Sequence, residues 1–163
     1  MENNLLSGSI PDTIGRMRDL FILNLSKNKL SGRIPSTVGN IAQLGKLFLD
    51  DNNLTGSKPS SLGQCLALSH LNLSANNLNG SIPEELFFSF SGRPLSLTID
   101  LSHNNLNGQL PEAMCRSTDL VVLNVSNNLL SGRLHWPGGC SALSSLSMEG
   151  NKFQGKFLQH SAG

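Results

Sequence analysis

Charge is scarce in this 163-residue chain and evenly split, with 12 Lys and Arg against 11 Asp and Glu and a net charge of +1. No basic block occurs, so nucleic-acid binding and polybasic attachment to a membrane have no support. Nowhere do the roughly 20 apolar residues needed to cross a bilayer run together, so no direct membrane contact is expected. Met1-Glu2-Asn3-Asn4 is not a basic region followed by an apolar stretch, and no signal peptide is read there. Linkers, low-complexity segments and a second domain are missing as well. The three cysteines are an odd number, and His70, His103, His135 and His160 keep no metal-ligand spacing with them. Neither a metal nor a cofactor is expected. Asp50-Asp51 and Glu84-Glu85 have no nucleophile or base beside them and are read as solvated pairs, so no enzyme active site is visible.

What the chain has is a period. Asn4, Asn28, Asn52, Asn76, Asn104, Asn128 and Asn151 are each followed two residues later by an apolar residue and two after that by glycine. The steps between them are 24, 24, 24, 28, 24 and 23 residues. Before each from Asn28 onward lies an L-x-x-L-x-L segment or a variant of it, such as Leu20/Leu23/Leu25, Leu44/Leu47/Leu49 and Leu68/Leu71/Leu73. The fourth copy keeps Ile99 and Leu101 but carries Ser96 at the first leucine phase. Such a repeat, with leucines at set phases, is the signature of a leucine-rich-repeat solenoid, an α/β-type repeat fold in which stacked coils share one apolar column. The domain expected is a single segment, 1–163, of about six to seven repeats.

Each phase has a chemical reason. The L-x-L core alternates with period two, so its leucines face one side and the residues between them the other. The outward set on the concave sheet is the candidate ligand surface: Phe21, Ile22, Lys46, Phe48, Asp50, His70, Asp100, His103 and Val122. Asn28, Asn52, Asn76, Asn104, Asn128 and Asn151 are expected to form an inward ladder, because an amide both donates to and accepts from backbone groups left open at a turn. Lys58 stands at an isoleucine phase, and its ammonium is expected to reach water past the core edge. Cys65 and Cys140 occupy a core phase and are read as buried thiols. Cys115 is on the coil next to that of Cys140 but at another phase, and no bridge is expected between them. The 28-residue step predicts that 86–94 loop out on the convex side while Ile99–Leu101 stays in register.

The runs L-S-G-x-I-P-x-x-x-G at Leu6–Gly15 and Leu30–Gly39, Leu-Asn-Leu-Ser at 23–26, and Ile-Asp-Leu-Ser-His-Asn-Asn-Leu at 99–106 resemble the plant-type leucine-rich repeat. The chain is similar to part of the ectodomain of plant leucine-rich-repeat receptor-like kinases of the immune-receptor type. That resemblance implies a right-handed superhelix with a parallel concave sheet and 3₁₀ or irregular convex connections. It also implies an extracellular setting, a peptide or protein ligand and a co-receptor as partners, and a Ser/Thr kinase in the parent. The paired-cysteine cap of the family, a membrane helix and kinase motifs are not found here. The chain is therefore read as an internal or truncated piece of such a receptor lacking both caps. A soluble inhibitor or decoy resembling polygalacturonase inhibitors, and a structural spacer, are the alternative readings. In a secretory setting Asn24, Asn53, Asn72, Asn79 and Asn124 are glycosylation candidates, although Leu-Asn-Leu-Ser is also ordinary repeat text.

Overall fold

The computed structural model describes residues 1–88, 96–134 and 139–155. Each coil contributes one short strand to a concave sheet. That sheet is parallel and six-stranded, made of β2 (Ile22–Asn24), β4 (Lys46–Phe48), β6 (His70–Asn72), β8 (Leu97–Asp100), β10 (Leu120–Asn124) and β12 (Ser145–Ser147), in sequence order. Past the ladder asparagine the chain extends again. There β1 (Ser7–Ser9), β3 (Lys29–Gly32), β5 (Asn53–Ser57), β7 (Asn77–Gly80) and β9 (Asn105–Leu106) form a second parallel sheet on the flank. The strands β11 (Ser131–Arg133) and β13 (Lys152–Gln154) pair beyond it.

Proline starts the convex side. Pro11, Pro35, Pro59 and Pro83, with φ between −75° and −69°, each precede a one-turn 3₁₀ helix: Asp12–Arg16, Ser36–Asn40, Ser60–Gln64 and Glu84–Phe87. The ring presets the φ such a turn needs, and its missing N–H is not called for there. The glycine four residues after each of the first three prolines is a matter of approach. A Cβ at Gly15, Gly39 or Gly63 would strike the carbonyl oxygen of Thr37, Ser61 or Glu85 on the next coil. Close convex stacking therefore demands glycine at that phase. The fourth coil has buried Phe87 there instead and the fifth has Cys115. At the fifth coil the convex turn changes to a short α-helix, Ala113–Arg116.

The core is a column of stacked leucines. Leu47, Leu71, Ile99 and Leu123 form one file, Leu49, Leu73, Leu101 and Val125 the next, and Leu54, Leu78, Leu106 and Leu130 a third, all essentially inaccessible. Full burial of one such side chain is worth about 1.5–3 kcal/mol. The asparagines close the turn between the two sheets. Asn52, for instance, accepts from Leu30 N–H at 3.0 Å and donates to Leu25, Leu49 and Asp50 carbonyls at 3.0–3.1 Å. Asn76, Asn104 and Asn128 repeat the pattern with the coil before them. To present these amides inward, the preceding residue adopts a left-handed backbone. Lys27, Asp51, Ala75, His103 and Asn127 have φ of 50–56°, a left-handed setting that is costly for most residues and that Asn and Asp tolerate best after glycine.

Strand β8 pairs with both β6 and β10, so the longer repeat leaves the register intact. A shift between Leu120 and Val122 pairs Leu97 with Leu120. Leu97 is buried and Ser96 exposed, so the leucine phase that Ser96 fails to fill is taken by its neighbour. Leu86 and Phe87 do not loop out as expected. They belong to the 3₁₀ turn and are buried, because the convex side needs them as core. Phe88 is exposed, and the rest of the expected loop, 89–94, lies outside the described residues.

Two further expectations are overturned. Lys58 does not reach water: the residue is 4% exposed and its Nζ has no hydrogen-bond partner among the described residues. The backbone fixes its Cβ at the inward phase shared by Ile34 and Ile82, and the stem is enclosed by the neighbouring coils. Burial lowers its pKa to about 8. Cys115 and Cys140 are joined by a disulfide, their Cα atoms 4.1 Å apart. The phases differ along the chain, but Cys115 sits where the other convex turns touch the next coil. Cys65 is a buried free thiol that donates to the Val38 carbonyl.

Candidate functional site

The concave sheet holds its outward side chains in straight rows. Backbone register sets Ile22, Lys46, His70, Thr98, Val122 and Ser145 side by side, and Asn24, Phe48, Asn72, Asp100, Asn124 and Ser147 in the adjacent row. Successive members are one strand spacing apart, about 4.7–4.9 Å. No described residue outside the sheet is paired over this side, so the rows form a partly exposed strip across six coils.

Two regions differ in chemistry. At the first coils Phe21 and Ile22 are 53% and 49% exposed, and Phe48 is half-buried beside them. The Phe21 ring lies over Gly45, just before β4 on the next coil, where any side chain would collide with it. Gly45 therefore seats the aromatic. Sequence reasoning missed it, although a glycine at a phase filled by Phe21, Ser69 and Val121 in other copies is a readable signal. Val122 is half-buried at the far end of the same row, separated from this patch by polar residues.

The second region is a hydrogen-bonded polar band. Asp50 accepts from Ser26 Oγ at 2.6 Å across adjacent strands. Asp100 accepts from its own Ser102 N–H and Oγ at 2.9 and 2.6 Å, and from Asn124 Nδ2 at 3.2 Å. Asn24, Asn72 and Asn124 each accept from the N–H of the serine two residues on, at 3.1 Å. This local turn holds the carboxamide against its own strand. The Asn-x-Ser text, read above as repeat consensus or glycosylation signal, thus also encodes side-chain orientation. His70 Nδ1 is 2.9 Å from Ser69 Oγ, and His103 Nε2 is 3.4 Å from Asn127 Nδ2 past the strand end. Lys46 stands between Ile22 and His70. Of the nine candidate residues, Ile22, Lys46, Phe48, His70, Asp100 and Val122 stand in the paired rows, and Phe21, Asp50 and His103 lie just beyond the strand ends. Together they offer an aromatic seat, one ammonium, two imidazoles and two carboxylates held by donors, which suits an extended polar chain with apolar side groups.

No group of three or more His, Cys, Asp or Glu among the described residues could hold a metal ion. No helix among them is long and apolar enough to cross a membrane.

The family model described as Leucine Rich Repeat matches residues 19–41, 43–65, 67–88 and 97–117, more than half of the chain. Among solved structures, the plant peptide hormone receptor RGFR1 in complex with RGF2 is 35% identical, with 93% of this chain and 24% of that one covered and a TM-score of 0.84. PEPR1 with AtPEP1 is 40% identical, covering 93% of this chain and 21% of that one, with a TM-score of 0.85. The Arabidopsis receptor kinase HAESA, in complex with the peptide hormone IDA and the co-receptor SERK1, is 30% identical over 94% of this chain and 29% of that one, with a TM-score of 0.66. The chain thus spans less than a third of each of these receptors. No curated protein is significantly similar to it in sequence.

Proposed function

Starting from the fact that the chain belongs to the leucine-rich-repeat family, we propose that it is a ligand-recognition segment of a plant receptor-like kinase ectodomain. It recognises a peptide or protein on its concave sheet, serves defence or development signalling, and acts at the extracellular side of the plasma membrane. The segment itself performs no catalysis; phosphoryl transfer belongs to a kinase domain of the parent receptor, and a co-receptor completes the signalling complex. The observation that carries this reading is the open concave strip with Phe21 and Ile22 exposed at one end. An isolated exposed aromatic is ordinary, but one seated by a glycine on a rigid sheet is preorganised, and such anchors dominate interfaces. The similarity to RGFR1, a plant peptide hormone receptor in complex with RGF2, supports recognition of a peptide. The Cys115–Cys140 bridge supports the compartment, because disulfides persist outside the reducing cytosol.

Selection of displayed random peptides against the immobilised chain tests the reading. Peptides that lose at least about tenfold in affinity, roughly 1.4 kcal/mol, on Phe21→Ser or Phe48→Ser but not on Thr55→Lys of the flanking sheet are expected. Selected peptides that respond to Thr55→Lys and ignore both phenylalanines would overturn it.

A further inference from the structure

The five Asn-x-Ser/Thr sites fall into two structural classes. Asn24, Asn72 and Asn124 lie in one row of the concave sheet, half-buried, each with its Oδ1 bonded to the following serine N–H. Their Nδ2 atoms, where a sugar would be joined, are hemmed in. Asn124 donates to Asp100, Asn24 donates to Glu2, and Asn72 stands between Phe48 and Asp100. Ser26 and Ser126 are buried, at 7% and 3% exposure. Asn53 and Asn79, by contrast, project from the flanking sheet on adjacent strands β5 and β7. Both are exposed, as are Thr55 and Ser81, and neither carboxamide bonds to any described residue. On the same sheet Ser57, Asn77, Asn105 and Asn107 are neutral and exposed, and the charged Lys29 on neighbouring β3 is exposed as well.

We propose that Asn53 and Asn79 are the glycosylated sites and that their two glycans shield the middle of the flanking sheet, leaving the concave strip bare. This rests on the extracellular reading above. In the transfer, Nδ2 loses a proton and attacks the anomeric carbon of a lipid-diphosphate-linked oligosaccharide. The N–C bond forms, the C–O bond to the diphosphate breaks, and the lipid diphosphate leaves with the oxygen and both bonding electrons. The sugar is added to an extended chain, so the fold acts afterwards, by deciding which modified chains can stack their coils. On the concave side the residues of a row stand about 4.7–4.9 Å apart, and a substituent on Nδ2 displaces the bond to Asp100 at Asn124 and that to Glu2 at Asn24. On the flank the same substituent points into solvent and costs nothing in contacts. Peptide recognition is thereby confined to one of the two sheets.

The test directs the chain through the secretory pathway of plant cells with an appended leader. Glycans are then released enzymatically in ¹⁸O water, so that each formerly occupied asparagine becomes a labelled aspartate in peptide mass spectra. Label at Asn53 and Asn79, with none at Asn24, Asn72 or Asn124, is expected. Thr55→Ala and Ser81→Ala should each remove one of two glycan-sized steps in gel mobility. Protein recovered with Cys115–Cys140 bridged but unlabelled at 53 and 79, or labelled at any concave site, overturns the proposal. The ligand reading fails on a separate measurement, namely peptide binding that ignores Phe21 and Phe48. The two failures are therefore distinguishable.

Discussion

Lys58 puts a buried cation where the repeat asks for isoleucine, and the cost is readable in pH. Its folded pKa is about 8 against 10.5 for the free side chain, so the folded state binds the proton less well than the unfolded one. The penalty is complete below pH 8, fades as pH rises towards 10.5, and amounts to roughly 3 kcal/mol. Cys65 works in the opposite direction. Burial raises its thiol to about 11 from 9.0, and the stability this supplies below pH 9 is lost as pH climbs through 11. The Lys58 effect must therefore be isolated by comparison. Lys58→Met should raise stability by about 2–3 kcal/mol at pH 7, and its advantage over the unsubstituted protein should shrink as pH rises from 8 to 10.5, as followed by urea melts. Equal curves at every pH would show that the ammonium is not buried. Cys65 should stay unlabelled by iodoacetamide at pH 8 in the native protein and react in urea, because thiolate is the reactive form. The inward phase of Lys58 was legible from the motif, but its failure to snorkel was not. Snorkelling depends on how tightly the neighbouring coils close over the stem, which one repeat's text does not contain.

Among the elements, the asparagine corner is the one most fully encoded, since period, phase and donor–acceptor chemistry all stand in the sequence. Asn76→Ala leaves the buried Leu54 N–H without a partner, while the Leu49 and Ser74 carbonyls lose one donor each and keep Asn52 Nδ2 and Asp51 N–H. It should cost about 1–3 kcal/mol, since one buried donor bears its full desolvation penalty. Asn77→Ala, one residue on but exposed, should change stability by less than about 0.5 kcal/mol, and chemical denaturation of the pair checks this. The left-handed residues before each corner were not legible: Asp51 and Asn127 favour that backbone, yet Ala75 and Lys27 carry no such signal. The disulfide escaped for a related reason. Spacing alone places Cys115 and Cys140 at unlike phases, and only the convex stacking brings them together. Leu143, Leu146 and Met148 on the coil of Cys140 are only partly buried, so its attachment leans on the bridge. Cys140→Ser should therefore speed amide exchange in 143–153 while leaving β4 and β6 unchanged.

For the molecule as a whole, contacts run between neighbouring coils, so stability is close to a sum of coil and interface terms. Removing residues 53–76, a whole 24-residue coil, should leave a folded protein that melts cooperatively a few degrees lower. It should also set Phe48 beside Asp100 and abolish binding of peptides selected on the full strip. Circular dichroism and the same binding assay measure both. The architecture was legible because a period repeats its evidence seven times, whereas Gly45 and the concave hydrogen bonds occur once each or hide inside consensus text. The asparagine ladder carries a consequence in time. Every inward amide serves the coil that precedes it, as Asn76 serves Leu49 and Leu54. During synthesis a coil therefore cannot close its own backbone until the next asparagine, 24 residues later in most cases, has left the ribosome. At cellular elongation rates that is a wait of about one to five seconds per coil. Across the 28-residue step it is longer, so a ribosome pausing after Asn76 would leave the third corner open to chaperones for as long as the pause lasts.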